Sequence, residues 1–391
     1  MTEVEEMQFH NIAQVAQEPV SVVGCYSPKK ATKVTNMHKT ILSVVLLALS
    51  SLIATAQQES NAPAYTAISV SGFSDSIGHY QHDDAHKDYP RYAPEEIDKI
   101  AANILLYQRN NGGWPKNWDP LRILPPDEQE VIRNEKDLED TTFDNRTIYT
   151  QIDYLAHTYL QIKDPVYKDA VLRGIQFILD AQYDTGGWPQ YWPNTSGYRS
   201  QITFNDDVLT GLLFFLRSTQ DNNPAYAFLP AEMHTAISAA IHKAEDLILQ
   251  LQIVVDGKRT IWAGQYDHDT LKPATARSYE LPSLISAESV KVVRYLMGIA
   301  SPTPEIIAAV SSAVAWFETS KITGIRIERV EIEPVQYGNH TVTSDKRVVK
   351  DDTAPPIWAR FYEIDTNRPF MANRDGTKVY SLSEVAHERR I

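Results

Sequence analysis

Apolar residues recur at intervals of three and four along most of the chain. The first series spans 97–105, and similar series cover 171–179 and 237–251. This spacing places side chains on one face of an α-helix, so the pattern predicts amphipathic helices. Residues 322–352 instead alternate as in strands, and residues 355–380 are rich in loop-forming types. The predicted fold is therefore dominated by α-helix, with a short β and loop-rich C-terminal segment.

The helical region also repeats. The segment ILLYQRNNGGWPKNW (104–118) resembles ILDAQYDTGGWPQYW (178–192), and a weaker copy covers 248–267. Between the copies lie second helices, two of which open with FDN at 143–145 and FND at 204–206. Three helix pairs with a period of about 70 residues predict an (α/α)3 toroid. The similar loops would line a cleft at one rim, and the C-terminal segment would pack on that rim.

The N-terminal region has a different pattern. An apolar run from Ile41 to Leu47 follows Lys39 and precedes Ala54, as in a secretory signal peptide. Because Met37 begins this pattern, we expect translation to start there and the product to be secreted or periplasmic. The predicted division is a doubtful leader over 1–36, the signal peptide over 37–56, a linker over 57–88 and one folded domain over 89–391.

Charge and cysteine content narrow the possible functions. Acidic residues number 50 against 37 lysines and arginines, a net charge of −13, which argues against a nucleic-acid partner. The one cysteine, Cys25, precedes the signal peptide, so the mature chain is expected to lack disulfides and cysteine-based sites. We expect a monomer with no membrane attachment once the signal is removed. An anionic substrate would require an arginine cluster or a divalent metal to offset the protein's charge.

Acidic and amide side chains stand at the predicted starts of two inner helices. They are Asp144 and Asn145 in one helix and Asp206 and Asp207 in the other. Each motif alone is typical of ordinary N-capping. Their recurrence at equivalent repeat positions also predicts several oxygen ligands near one another, a set that suits calcium.

Cationic and aromatic residues occur in irregular segments. Arg277 is confined between Pro273 and Pro282, where a regular helix is disfavoured. The two GGWP loops carry tryptophans, including Trp188, that could seal the rim or contact a sugar face. Further basic residues in irregular segments are Lys116, Lys272, Arg360 and Arg374.

Six ordered motifs resemble the pectate lyases of polysaccharide lyase family ten. They are GGWPKN, TTFDNRTIYTQ, ITFNDD, ARSYELPS, WARFYEIDTNRP and RDGTKVYSLSE, spread over residues 90–390. The resemblance implies a secreted, calcium-dependent enzyme on an (α/α)3 toroid. It also implies β-elimination of polygalacturonate, giving unsaturated oligogalacturonides.

The resemblance also implies roles for individual residues. Arg277 corresponds to the family's catalytic base, and nearby cations are expected to lower its pKa. Asp144 and Asp206 correspond to calcium-site acids, with Asn145, Asp207 and Glu280 nearby. Arg360 and Arg374 correspond to arginines that hold substrate carboxylates, and the substrate-binding set is completed by Lys272, Lys116 and Trp188.

The sequence departs from the family pattern at Arg146 and Thr147, where smaller residues are expected. Two other functions stay open at this point. A glycoside hydrolase would use two acidic residues, one as the acid and the other as the base or nucleophile. The candidates are Asp144, Asp206, Asp207 and Glu280. A noncatalytic carbohydrate-binding protein would use the aromatic rim.

Overall fold

The computed structural model describes residues 65–390, and this part of the chain is rich in helix and poor in sheet. Its α-helices are α1 (Ser74–Gln81), α2 (Ile97–Tyr107), α3 (Pro126–Asn134), α4 (Tyr149–Ile162), α5 (Pro165–Asp180), α6 (Val208–Ser218), α7 (Ala231–Leu251), α8 (Ser286–Met297), α9 (Pro304–Ser320) and α10 (His387–Arg390). Its strands are β1 (Ile202–Thr203), β2 (Val254–Val255), β3 (Lys258–Arg259), β4 (Gln265–Tyr266), β5 (Leu284–Ile285), β6 (Ile325–Tyr337), β7 (His340–Lys350), β8 (Phe361–Tyr362), β9 (Pro369–Ala372) and β10 (Lys378–Val379). The prediction of a mainly helical fold is confirmed.

Helix α6 shows how apolar spacing becomes buried surface. Leu209, Leu212, Leu213 and Leu216 recur at intervals of three and four, and all four are fully buried. Side chains at this spacing share one helix face. Burial stabilises each leucine by roughly 1.5–3 kcal/mol relative to leaving it in water. The N-cap residue, Asp207, accepts no capping hydrogen bond, so packing rather than capping stabilises this helix.

Three glutamines join each repeat to the next. The Gln108 side chain donates to the carbonyl of Gly112 in its own loop at 2.9 Å and to that of Ala170 on α5 at 3.0 Å. Equivalent bonds, all 2.9 Å, join Gln182 to Gly186 and to Ala240 on α7, and Gln252 to Thr260 and to Ala309 on α9. The repeat predicted from the sequence is therefore present in the backbone, with α2, α5, α7 and α9 as equivalent helices.

Buried tryptophans mark the same repeats. The indole N–H of Trp114 donates to the carbonyl of Ile104 on α2 at 2.7 Å. Trp188 donates to Ile178 on α5, Trp262 to Ile248 on α7, and Trp358 to Phe317 on α9, over 2.8–2.9 Å. Each tryptophan thus fastens the loop that follows a helix back onto that helix.

The fourth tryptophan adds a partial repeat to the three helix pairs predicted from the sequence. WAGQY at 262–266 and WARFY at 358–362 make the same contacts, because Tyr266 and Tyr362 each accept a backbone N–H three residues earlier. Helix α9 and the WARFY segment therefore form a partial fourth repeat. The long ribbon between them conceals this repeat in the sequence.

That ribbon consists of β6 and β7, which pair antiparallel from Ile325 opposite Lys350 to Tyr337 opposite His340. The register shifts between Glu331 and Val335. The predicted strand alternation is confirmed here. A separate four-stranded sheet, ordered β10-β9-β8-β5, connects the C-terminal segment to the start of α8.

The N-terminal part of the described chain packs on the helical body. Phe73 is buried in the main core, and the Ser76 hydroxyl donates to the carbonyl of Trp118 at 2.7 Å. The predicted linker over 57–88 is therefore not observed over 65–88, because an apolar side chain in a largely polar stretch is enough to dock it. Residues 57–64, the leader and the signal peptide lie outside the described residues. No helix between 65 and 390 is long and apolar enough to cross a membrane.

Candidate active site

Two short turns before α4 and α6 share an unusual backbone. Residues 144–146 and 205–207 each form a 3₁₀ turn. Asn145, Arg146, Asp206 and Asp207 have left-handed φ angles of 52°, 59°, 54° and 59°. Asparagine and aspartate tolerate this region better than most residues, but arginine seldom occupies it. Such conformations cluster at functional sites.

The capping role considered for these acids is not observed. The N-cap residues of α4 and α6, Ile148 and Asp207, make no side-chain capping hydrogen bond. The side chains of Asp144 and Asp206 are directed instead toward one another and toward neighbouring polar groups. Their position at the helix starts therefore serves other contacts.

Asp144 and Asp206 lie close enough to interact as a carboxyl pair. Asp144 is 2% exposed. Its Oδ2 contacts the Lys116 ammonium, and its Oδ1 accepts from Gln190 Nε2 at 3.1 Å. Two carboxyls this close resist simultaneous ionisation, so the pair holds one proton when no cation replaces it.

The electrostatics of the pair assign that proton. Burial raises the pKa of Asp144, but Lys116 and the hydrogen bond with Asp206 outweigh it and hold the pKa below its ordinary value. Burial raises the pKa of Asp206 well above its ordinary value, and the charges of Asp144 and Glu280 raise it further. In the absence of a cation, these opposite directions favour protonation of Asp206 over protonation of Asp144.

Glu280 lies beside this pair and binds Arg277. The Arg277 guanidinium donates from Nε at 2.8 Å and from Nη2 at 2.6 Å to the two carboxylate oxygens, and its backbone N–H donates at 3.1 Å. Arg277 lies on an irregular segment between α7 and α8, as the prolines predict. The expected lowering of its pKa is wrong for this structure. Burial lowers the pKa of Arg277, but the hydrogen bonds and charge of Glu280 raise it above its ordinary value.

Further arginines surround the same acids. Arg360 Nη2 lies 3.9 Å from Glu280 Oε1 and 3.9 Å from Glu288 Oε1. The guanidinium of Arg277 lies 4.9 Å from the centre of the Tyr279 ring, that of Arg374 at 5.7 Å and that of Arg389 at 3.8 Å. Cations and acids from distant parts of the chain therefore meet at one place.

The short helix α10 connects this arginine cluster to the ribbon. Two of its residues face the cluster: Glu388 pairs with Arg374 at 3.4 Å, and Arg389 stacks on Tyr279. The other two face the ribbon, where His387 bonds Tyr337 at 2.6 Å and Arg390 pairs with Asp345 at 2.7 Å. Neither Glu388 nor Arg389 is predicted from the sequence, because a charged four-residue segment has no distinctive motif.

The residue two positions after each repeat tryptophan reaches the site. In order these are Lys116, Gln190, Gly264 and Arg360. Lys116 and Gln190 contact Asp144, and Arg360 lies beside Glu280. A Cβ on Gly264 would lie 2.7 Å from Asn205 Oδ1, so a residue with a side chain at position 264 would clash with Asn205. Gln190 was missed earlier, although an alignment of the repeats places it opposite Lys116.

The oxygen atoms at the acid pair suit a hard cation. Gln190 Oε1 and Asn205 Oδ1 are buried and accept no hydrogen bond from the described residues. Gln190 contacts Asp144, and Asn205 Nδ2 donates to Glu280 at 3.4 Å. Amide and carboxylate oxygens are the ligands that calcium prefers. The set nevertheless differs from a preformed cage, since no three acidic or histidine side chains within 65–390 converge as metal ligands.

Two of the predicted calcium ligands point elsewhere. Asp207 pairs with Lys291 and, at 3.2 Å, with Arg146, so its charge is already offset. Asn145 Nδ2 donates to Asn117 Oδ1 at 2.7 Å. Asp207 follows Asp206 along a left-handed turn that directs successive side chains apart, which explains why adjacent acids do not share one site.

Two of the predicted substrate-binding residues also lie apart. Trp188 is 0% exposed, and its indole is bonded inside the fold, so the structure contradicts a direct substrate contact. Lys272 is exposed, and its only described bond is through its carbonyl, to the N–H of Asp267. Lys116, Arg277 and Arg360 remain at the site, and exposed Arg374 lies at its edge.

Comparison with known proteins agrees with this arrangement. The family model described as pectic acid lyase matches residues 108–391. Two solved structures of the family 10 polysaccharide lyase from Cellvibrio cellulosa are similar, each with 29% identity and a TM-score of 0.60 over 76% of this chain. The match covers 90% of one relative, a mutant in complex with trigalacturonic acid, and 89% of the other. No curated protein sequence matches.

The family match extends over most of the described chain and includes every residue of the acid and arginine clusters. The similar structures are lyases of the family that the six sequence motifs resemble. The chain therefore belongs to the pectic acid lyase family and is a polysaccharide lyase of family ten.

Proposed function

We propose that this protein is a secreted or periplasmic, monomeric, calcium-dependent pectate lyase built on an (α/α)3 toroid. It would cleave α-1,4-linked polygalacturonate by β-elimination and release 4,5-unsaturated oligogalacturonides. The trigalacturonic acid bound by the similar Cellvibrio cellulosa mutant supports this substrate class.

One observation carries the proposal, namely the convergence of opposite charges. Asp144 and Asp206 come from the first two repeats, whereas Glu280, Arg277 and Arg360 come from the last two. A uronate carboxylate requires cations around it, and an acidic protein requires a metal to hold such a polymer. Both requirements are met where the acid pair lies beside the guanidiniums.

Asp144 and Asp206 would hold calcium, with the oxygens of Gln190 and Asn205 next to them. Bound calcium would act as a Lewis acid that offsets the charge of the substrate carboxylate and increases the acidity of the neighbouring C–H bond. The guanidiniums of Arg360 and Arg374 would donate paired hydrogen bonds to that carboxylate. These contacts would strengthen as negative charge develops in the transition state.

The bond changes balance without water. Arg277 takes the proton from C5 of the uronate, and the C–H electron pair forms the C4=C5 double bond. The C4–O bond breaks, its electron pair passes to the glycosidic oxygen, and that oxygen takes up a proton. No hydroxyl group is added to either fragment.

A base role for Arg277 requires a change in its contact with Glu280. While both carboxylate oxygens accept from the guanidinium, the pKa of Arg277 is raised and the neutral form is disfavoured. If the Glu280 carboxylate moved toward the acid pair, its negative charge would stabilise the protonated form of Arg277 less. Arg389, whose guanidinium carbon lies 3.8 Å from the centre of the Tyr279 ring, then becomes the neighbouring cation that favours deprotonation.

Geometry argues against the hydrolase alternative. Retaining and inverting glycosidases hold their two carboxyls about 5–9.5 Å apart, on either side of the scissile bond. Asp144 and Asp206 instead interact as one coupled carboxyl pair, and Glu280 is held by Arg277. Of the aromatic rim that a binding module would use, Trp114, Trp118 and Trp188 are buried, and only Tyr191 and Trp192 remain partly exposed.

Product analysis tests the proposal. Polygalacturonate would be incubated with the protein in calcium and in chelator. We expect ultraviolet-absorbing unsaturated ends in calcium only. Saturated reducing ends would identify a hydrolase, and the absence of any shorter product would leave only binding.

A further inference from the structure

A second cationic position adjoins the acid pair on the loop after Trp188. Arg199 lies with its guanidinium carbon 4.6 Å from the centre of the Tyr191 ring. The Lys116 ammonium lies 5.5 Å from the same ring and contacts Asp144. Tyr191 therefore connects Arg199 to the residues that surround the acid pair.

The backbone fixes this arrangement. The carbonyl of Arg199 accepts the N–H of Gln190 at 3.0 Å and that of Tyr191 at 3.4 Å. The next carbonyl, of Ser200, accepts the hydroxyl of Tyr183 at 3.0 Å. The loop is thus tied to the strand-like segment that also delivers Gln190 to Asp144. Arg199 is held near the site by bonds that do not use its side chain.

The guanidinium itself has no acidic partner within residues 65–390, where no carboxylate oxygen lies within salt-bridge distance of Arg199. The residue is partly buried, so part of its surface remains accessible to solvent. A guanidinium stacked on a ring keeps the N–H groups at its edge directed outward in the ring plane. Such an arginine is prepared to bind a carboxylate through two parallel hydrogen bonds.

We propose that Arg199, oriented by Tyr191 and assisted by Lys116, binds the carboxylate of a uronate unit neighbouring the one at the acid pair. This subsite rests on the proposed function, because a polyuronate carries a carboxylate on every unit and needs a cation at each. Arg199 lies outside all six of the family-like motifs. It is a substrate-positioning residue and takes no part in proton transfer.

The test compares Arg199→Ala, Arg199→Lys and Arg199→Gln with the unmodified protein on polygalacturonate in calcium. We expect Arg199→Ala and Arg199→Gln to raise KM about tenfold while kcat stays within about twofold, since the lost contact is remote from the reacting bond. Arg199→Lys should fall between, because it keeps the charge but not the planar pair of donors. Arg133→Ala, which removes an exposed arginine paired with Glu130 on α3, is the charge-matched control.

A second readout separates charge recognition from a merely structural role. Binding of hexagalacturonate and of its methyl ester would be measured by calorimetry in an Arg277→Lys background. Arg199→Ala should weaken binding of the acid about tenfold and leave binding of the uncharged ester unchanged. The subsite would be overturned if all Arg199 variants had the KM of the unmodified protein. It would also be overturned if Arg199→Ala weakened binding of the acid and of the ester equally.

The results that would refute the subsite differ from those that would refute the proposed function. If the unmodified protein releases unsaturated product but Arg199→Ala has an unchanged KM, only the subsite is refuted. If the unmodified protein releases no such product, the lyase proposal fails. In that case Arg199-dependent binding of hexagalacturonate would still support the uronate site.

Discussion

The first two repeats and the last two use one scaffold to place opposite charges. Each repeat tryptophan is followed two residues later by a side chain at the site. In the early repeats Lys116 and Gln190 hold the acid Asp144, and in the late ones Gly264 gives space to Asn205 and Arg360 supplies a cation. A single repeated position therefore contacts an acid of the carboxyl pair on one side and supplies a guanidinium beside Glu280 on the other.

The starts of the inner helices differ in the same way. The N–H groups of Phe143, Phe204 and Ser286 occupy equivalent places, donating to Gln190, Gly264 and Arg360 at 2.9, 2.8 and 3.0 Å. After Phe143 and Phe204 the chain makes a left-handed turn that carries acids, whereas Ser286 begins α8 directly. The Asp144–Asp206 pair thus comes from the early repeats, whereas Arg277 and Arg360, together with Glu280, come from the late ones.

The largest effect is expected from the late repeats. Arg277→Lys should lower kcat about a thousandfold, the order that general-base catalysis contributes, because an ammonium cannot reproduce the guanidinium's reach and paired contacts. Polygalacturonate binding and melting temperature should stay close to those of the unmodified protein. Initial rates of unsaturated product measure the change, and near-normal turnover would remove Arg277 as the base.

A smaller loss is expected from the acid side. Asp206→Asn should lower kcat/KM about a hundredfold at limiting calcium, because the amide cannot supply a negative ligand. A calcium titration of the rate measures this effect. An unchanged calcium requirement would show that Asp206 is not part of the cation site.

Asp206→Asn should also change stability in chelator. Because the folded-state pKa of Asp206 is raised, its stabilising contribution is fully present below the unfolded pKa and is lost as pH rises through the folded value. Relative to Asn, this carboxyl therefore destabilises the metal-free fold at neutral and alkaline pH. The variant should melt at a higher temperature than the unmodified protein in chelator at pH 8, with the difference vanishing near pH 4. A lower melting temperature at pH 8 would contradict this assignment of the proton.

Gly264→Ala should give an effect of about tenfold on kcat/KM. The new Cβ would lie 2.7 Å from Asn205 Oδ1, closer than real contacts allow, so Asn205 would shift from Glu280 and from the acid pair. Steady-state kinetics at several calcium concentrations measure it. Gly78→Ala, where a Cβ meets no neighbouring atom, is the control. Equal kinetics for the two variants would show that the Asn205 position is unimportant.

The smallest effect concerns Arg374. Glu388→Gln removes the carboxylate that pairs with Arg374 at 3.4 Å across a partly exposed contact. Exposed ion pairs are worth only about 0–1 kcal/mol, so KM for polygalacturonate should fall no more than about fivefold when Glu388 no longer competes for Arg374. Arg374→Ala in the same background should abolish the gain. A higher KM in Glu388→Gln would indicate that Glu388 positions Arg374 rather than competes for it.

Much of the scaffold could be predicted because it depends on local pattern. Helical spacing identified the amphipathic helices, and the recurrence of Gln108 at Gln182 and Gln252 identified repeats whose bonds the structure reproduces. The fourth repeat escaped because the β6–β7 ribbon separates α9 from WARFY. A periodicity search fails when a long insertion falls inside one period.

The site was predicted only in part, for a physical reason. The motifs predicted that Asp144, Asp206 and Arg277 lie near one another, as they do in the structure, but spacing along a chain does not say which way neighbouring side chains point. The left-handed turn directs Asp207 toward Lys291 instead of the acid pair, and Trp188 turns inward to bond its own helix. Arg389 reaches Tyr279 through tertiary packing that no local pattern encodes.

Calcium calorimetry on Asp206→Asn and Asp207→Asn tests the central claim most directly, because these adjacent acids differ in surroundings and hardly in sequence. The account predicts one calcium ion bound by the unmodified protein, similar affinity in Asp207→Asn, and affinity reduced at least about a hundredfold in Asp206→Asn. Retained affinity in Asp206→Asn together with loss in Asp207→Asn would contradict it.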